Sequence, residues 1–261
     1  MTMTNPPGSI GNASVSTESM YKGLGIIAIT VASLMAVSLF AGFAIATPDN
    51  AFSRANTLLF LTNHLDNVRA PSTLHYAFEK RGPMEEEYKD SIDITVSPEK
   101  ESGGKTAKVR YFTGARNQYI APISDVQGNP IISMFLQRDV NDMAQRTEGS
   151  SIYFQNAIKV ALENQAEVKA VTFEYDGRKV NGSQISIVPY RDDPRRAQIE
   201  PYADKYYVFL MADAVPGEVY QLRSVVPSGS RQAGQEAPET LLEEVVTLGA
   251  VEPLAQKERV E

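Results

Sequence analysis

The chain has 261 residues, 43% of them apolar, and a formal net charge of −7, enough for one sizeable core and too apolar for a globally disordered chain. It has no cysteine, which excludes disulfides, thiolate metal sites and a cysteine nucleophile. The acidic balance argues against the clustered Lys and Arg that a phosphate backbone requires, so no nucleic-acid partner is expected.

Residues 1–22 are rich in Thr, Ser, Asn, Pro and Gly and read as a disordered tail. Gly23 to Thr47 follows, 25 residues without a formal charge. As a helix it would span about 37 Å, against about 30 Å of bilayer hydrocarbon. Pro48, Asp49 and Asn50 stop it. Ala44-Ile45-Ala46 has the form of a signal-peptidase site, so a removed signal competes with a retained anchor. The anchor fits the length better, because a signal core runs about 7–15 residues. A short leading tail and one early apolar segment place the large domain in the periplasm, anchored to the inner membrane. The first 47 residues carry only Glu18 and Lys22, leaving 24 basic and 31 acidic positions downstream. The acidity therefore belongs to the domain.

Ser53 to Val68 reads as a helix with Ser53 as N-cap and Leu58, Leu61, Leu65 and Val68 as its buried face. Three strands are expected next, carrying Leu74, Tyr76 and Phe78, then Ile92, Ile94 and Val96, then Ala107, Val109 and Tyr111. Polar turns between sequential strands imply antiparallel pairing. Asn129-Pro130 opens a second helix, striped by Ile132, Leu136, Val140 and Met143 and closed by Gly149. Ser150 or Ser151 caps a third, with Phe154, Ile158, Ala161 and Leu162 inward. Val171, Phe173 and Tyr175, the Asp176-Gly177 hairpin turn, and Ile185 and Ile187 make a further strand pair. Tyr206, Val208 and Leu210 pair with Val219, Leu222 and Val225 around Val215-Pro216-Gly217. From Pro227 the composition shifts to Ser, Gly, Gln and Glu, and Thr240 to Leu248 reads as a short amphipathic helix in a loose tail. The domains expected are therefore tail 1–22, transmembrane helix 23–47, folded domain 48–227 and flexible tail 228–261. The fold class is α+β, with the N-terminal transmembrane helix followed by a largely antiparallel, curved sheet partly covered by helices.

No catalytic or cofactor motif survives inspection. Gly103-Gly104-Lys105-Thr106 ends like a phosphate loop, but the Gly required five residues before Gly104 is Glu99. Asp139, Asn141 and Asp142 lack the Gly and closing Glu of a calcium loop and read as polarity on a helix surface. His64 lies in a helix and His75 on a strand face; either could act with a carboxylate, but no nucleophile elbow accompanies them. Arg178, Lys179, Arg191, Arg195 and Arg196 stand among Asp176, Asp192 and Asp193 and read as neutralised loops. No catalytic, cofactor-binding or metal residue is assigned. The strand-borne aromatics, Tyr76, Phe78, Tyr111, Phe112, Phe173, Tyr175, Tyr206, Tyr207 and Phe209, suit a packed core and would also line a cavity for an apolar ligand.

Gly128-Asn129-Pro130-Ile131-Ile132 with Phe135–Val140, and Lys205–Leu210 with Val215-Pro216-Gly217, resemble a family of membrane-anchored proteobacterial envelope proteins. That resemblance implies a place in the envelope and brings no activity. The order of helix and sheet is also similar to the lipoprotein-carrier fold of periplasmic lipoprotein chaperones, from which this chain departs by its anchor-like segment and by two helices in the middle of the strand series. The leading expectation is a non-enzymatic, single-pass accessory or scaffolding protein whose partners are the bilayer and other envelope proteins. A periplasmic binding module for a lipid or other apolar ligand is the alternative.

Overall fold

The computed structural model describes residues 52–99, 103–230 and 238–254. The tail 1–22 and the apolar run Gly23–Thr47 lie outside them. Among the described residues no helix is long and apolar enough to cross a membrane.

One antiparallel sheet organises the domain. Its strands are β1 (Ser72–Arg81), β2 (Tyr88–Pro98), β3 (Lys105–Tyr111), β4 (Gln118–Tyr119), β5 (Glu167–Tyr175), β6 (Arg178–Ile187), β7 (Tyr206–Met211), β8 (Val219–Pro227) and β9 (Thr240–Pro253). The spatial order is β4-β3-β2-β1-β9-β8-β7-β6-β5. Within the sheet, the two meanders of the described residues, β1 to β4 and β5 to β8, meet through the last strand.

Two helices, α2 (Pro130–Arg146) and α3 (Ser151–Asn164), lie on the inner face. Asn129 caps α2 through its side-chain oxygen, which accepts from the Ile131 amide, and Pro130 occupies the first turn where no amide donor is needed. The buried residues of α3 are Phe154, Ile158, Ala161 and Leu162, the stripe its spacing implied. Its neighbour ends differently from expectation: Glu148, with φ 51°, takes the left-handed position expected of Gly149. The Gly149 amide then bonds back to the Ala144 carbonyl at 2.9 Å.

The Asp176-Gly177 turn has φ 50° and 69°, the pair of positive values that a type I′ hairpin requires. Gly82 (φ 123°) is needed for a second reason: a Cβ there would strike the Leu241 carbonyl, so only glycine lets the β1–β2 turn pass beside β9.

Two expectations are corrected. Ser53 to Val68 is not one helix. Ser53 caps a single turn, α1 (Arg54–Asn56), by accepting from the Asn56 amide; a wide π-type turn, Thr57–Leu61, and a 3-10 turn, His64–Asn67, follow. The chain breaks at Thr62 because His64 is drawn inside, so Ala55, Leu59, Leu65 and Val68 are buried while Leu61 stays 52% exposed. The second correction concerns the C-terminal tail. Thr240 to Leu248 is no helix; it is the first part of β9, at the centre of the sheet. Leu242, Glu244, Val246 and Leu248 point inward, and Glu243 and Glu244 are both 3% exposed. The two glutamates hid the alternation. Each is buried by cations: Glu243 by Arg81 and Arg223 on the outer face, Glu244 by Lys80 and Arg138 on the inner. Val245, Val246 and Thr247 are β-branched and favour the extended chain.

Leu248→Ala is therefore expected to lower the unfolding free energy by about 2–5 kcal/mol, the range for truncating a buried Leu. Urea unfolding checks this; an unchanged midpoint would return the segment to a loose tail.

Candidate functional site

The space between α2 and the inner sheet face combines an apolar floor with a seam of charge. Leu74, Tyr76 and Phe78 of β1, Ile92 and Ile94 of β2, and Val246 of β9 are each at most 1% exposed. Across this floor α2 does not present apolar groups alone. Arg138 donates to both carboxylate oxygens of Glu244, at 2.6 and 3.0 Å, and to Tyr88 Oη at 3.3 Å. The same guanidinium lies 5.0 Å from the ring centre of Phe78 and 3.0 Å from Asp142. Lys80 reaches Glu244 at 3.4 Å and pairs with Glu85, which also receives Arg146 at 2.6 Å.

The next residue of α2, Asp139, is 1% exposed. Its two oxygens accept from Lys205 Nζ and from Tyr207 Oη, both at 2.5 Å, and Ser224 Oγ lies 3.5 Å away. Tyr190 Oη and Tyr207 Oη are 3.3 Å apart. Four cations, Lys80, Arg138, Arg146 and Lys205, thus meet four carboxylates, Glu85, Asp139, Asp142 and Glu244. The seam is balanced within itself and binds the helix to the sheet through directional contacts.

Its electrostatics follow from burial and pairing. Burial alone would raise the Glu244 carboxyl; the charge and double hydrogen bond of Arg138 overcome it and hold the group down to about 2. Burial, with the neighbouring Asp139 carboxylate, pushes the Tyr207 phenol far up, so it stays a donor. Burial raises the phenols of Tyr76 and Tyr111 as well. The Tyr111 hydroxyl is buried and, among the described residues, has no hydrogen-bond partner.

Asp139 is not the helix-surface polarity that the sequence pattern suggests but a buried, paired carboxylate. It lies three residues after Leu136 and four before Met143, inside the apolar stripe, and that spacing was the available signal. Asn141 is on the exposed side, bonded to Gln137 at 3.0 Å.

The remaining candidates are scattered. His64 is fully buried; its Nε2 is 2.7 Å from the Leu58 carbonyl and its Nδ1 accepts from the Asn129 amide at 3.0 Å. Burial pushes its pKa down, so it is a neutral pin between the N-terminal turns and the start of α2. His75 is on the outer face, its Nδ1 2.8 Å from Asp93, which also holds Arg110 at 3.1 Å. Lys105 donates to the Leu65 carbonyl, which explains the Gly103–Thr106 segment as a hairpin and a strand start. Arg196 bonds Asp204 at 2.5 and 3.2 Å, and Arg195 lies over the Tyr153 ring at 4.9 Å. Arg178 is 3.6 Å from Asp176, both exposed. Among the described residues, no group of three or more His, Asp or Glu could hold a metal ion.

No protein-family model matches the chain, and no curated protein matches it. Among solved structures it is similar to the lipoprotein LppX of Mycobacterium tuberculosis, at 9% identity over 78% of this chain and 99% of that one, with a TM-score of 0.32. LprF of Mycobacterium bovis is 7% identical over 79% and 97%, with a TM-score of 0.30. A LolA-superfamily protein of Nitrosomonas europaea is 10% identical over 79% and 96%, with a TM-score of 0.20.

The seam makes stability depend on acid. Glu244 has a folded value below its ordinary 4.5, so it stabilises the fold above that pH and ceases to as pH falls from about 4.5 to about 2. That loss is on the order of 3 kcal/mol. His64, also depressed, adds a loss that begins below its ordinary 6.5. Urea midpoints should fall from pH 7 to pH 2.5, with a shallower slope in Glu244→Gln. Asp139→Ala, which strands Lys205, is expected to cost about 3–5 kcal/mol.

Proposed function

We propose that this chain is a membrane-tethered binding module that takes an apolar, lipid-like ligand between the inner sheet face and the helices α2 and α3. The observation that carries this reading is the polar seam over an apolar floor. Buried ion pairs stabilise less than apolar packing of the same volume, because each charge gives up its hydration. A helix held by Arg138–Glu244 and Asp139–Lys205 is therefore easier to lift than one seated on Leu and Ile, and its charges regain water as it lifts. The floor so uncovered, with Leu74, Phe78, Ile92 and Val246, would favour an acyl chain at about 25 cal/mol per Å² of apolar surface buried. This reading requires no catalytic residue and no cofactor. It takes Gly23–Thr47 as the tether and the periplasm as the working compartment.

Native mass spectrometry of the full chain in mild detergent is expected to show a co-purifying lipid, and a fluorescent fatty acid should compete with it. Replacing the inner pair together, Asp139→Leu with Lys205→Met, should keep the fold and slow probe uptake. A consistently empty protein that takes up no probe would sink the proposal.

A second reading, contact with other envelope proteins, is favoured by Phe52, Phe60 and Leu61. They lie just after the apolar run in sequence and are 63%, 42% and 52% exposed. On this reading the chain co-purifies with a membrane complex, and Phe60→Ser with Leu61→Ser releases it. Repeated recovery as a free monomer from native pulldowns would count against it.

A further inference from the structure

The sheet has a notch. β6 loses its β7 partner beyond Ser183↔Met211, while its pairing with β5 continues to Tyr175↔Arg178. At the same end of the sheet, β9 loses its β8 partner beyond Thr247↔Gln221, while its pairing with β1 continues to Ser72↔Pro253. Two strand pairs therefore project past a shorter β7–β8 hairpin. Only β7 and β8 separate β6 from β9 in the strand order. The gap is two strand positions wide, about 14 Å at ordinary spacing.

The hairpin is short because its turn is drawn to the inner side. Asn67 Nδ2 donates to the carbonyls of Asp213 and Val215, at 2.9 and 2.8 Å, and its Oδ1 accepts from the Gly217 amide at 2.8 Å. Asn129 Nδ2 donates to the Gly217 carbonyl at 2.9 Å. Val215 is fully buried. Chain that would otherwise prolong β7 and β8 is used to join the N-terminal turns to the start of α2.

What remains is an open cleft of about 720 Å³, bounded by Glu174, Tyr175 and Asp176 at the β5–β6 tip, by Tyr220, and by Leu248 to Val251 of β9. A register shift between Leu210 and Met211 leaves Tyr220 without a partner on β7. Its ring stacks on Phe173 at 4.9 Å and meets Tyr175 edge-on at 5.9 Å. The cleft lining holds two carboxylates and no cation; Arg178, 3.6 Å from Asp176, is outside it. Among the described residues, no strand lies beside Leu248 to Val251 on the side away from β1. A strand edge of that kind presents main-chain donors and acceptors that another strand can meet.

We propose that this notch receives an extended, cationic peptide segment of a partner protein. The segment adds as a strand along Leu248 to Val251, with alternate side chains against Tyr175 and Tyr220 and basic groups toward Glu174 and Asp176. Main-chain bonds supply the affinity and the acidic, aromatic walls supply the selectivity.

The test uses the full chain in mild detergent and acetyl-Lys-Val-Thr-Val-Lys-amide as probe. Saturable one-to-one binding is expected, with slowed amide exchange confined to the Leu248–Val251 edge and the facing β5–β6 hairpin. The same peptide N-methylated at alternate residues should not bind. Glu174→Gln with Asp176→Asn should weaken binding by about three- to tenfold, from two exposed charge contacts, without moving the melting temperature. Asn tolerates the left-handed turn position that Asp176 holds. Equal binding of the Glu-Val-Thr-Val-Glu peptide, exchange protection elsewhere, or no binding by the unmodified protein would each overturn the proposal.

Discussion

The central pairing of β9 is the constraint on which the rest depends. Among the described residues, no strand of one meander pairs with a strand of the other; each meander pairs with β9, β1 on one side and β8 on the other. From Glu243 to Thr247 this strand is paired on both flanks and satisfies its main-chain groups through its neighbours. It also carries two adjacent glutamates, which alternation sends to opposite faces. Each is enclosed by cations from the strands or helix beside it. Removing either set of partners would leave a buried charge unpaired, so the sheet centre and the charge pattern are one structural unit.

The inner glutamate extends this constraint to the helices. Glu244 joins β9 to α2 through Arg138, and Asp139 joins the same helix to Lys205 and Tyr207 next to and on β7. One helix is thereby keyed to both meanders. The key is polar, which makes the position of α2 specific in geometry while contributing less stability than apolar packing would. Seating specificity of this kind, over an aromatic and aliphatic floor, distinguishes the interior from an ordinary core and underlies the ligand-binding reading.

The asparagines act similarly at the other end of α2. Asn129 caps the helix and also donates to Tyr76 at 2.8 Å and to the Gly217 carbonyl, while Asn67 holds the same turn from the N-terminal side. Gly217, at φ 71°, admits this because a Cβ would approach the Asn129 side chain to 2.8 Å. The notch between β6 and β9 is the outer consequence of that inward pull.

Local pattern alone determined most elements of the described domain. The strand alternations of β1 to β3 and β5 to β8, the Asp176-Gly177 turn, the Asn129-Pro130 start and the α3 stripe all arise from interactions within a few residues, and all are legible in the chain. The α+β class and antiparallel pairing follow from their order. Tertiary structure alone decided three things. It placed β9 at the sheet centre, because the partners that permit Glu243 and Glu244 to be buried come from Lys80, Arg81, Arg138 and Arg223, remote in sequence. It buried Asp139, which looks like surface polarity until Lys205 and Tyr207 are brought to it. It also broke the N-terminal helix at Thr62, because His64 finds its second partner at Asn129. In each case a charged or polar side chain is exposed or buried according to who stands opposite, and that is set by the fold rather than by its neighbours along the chain.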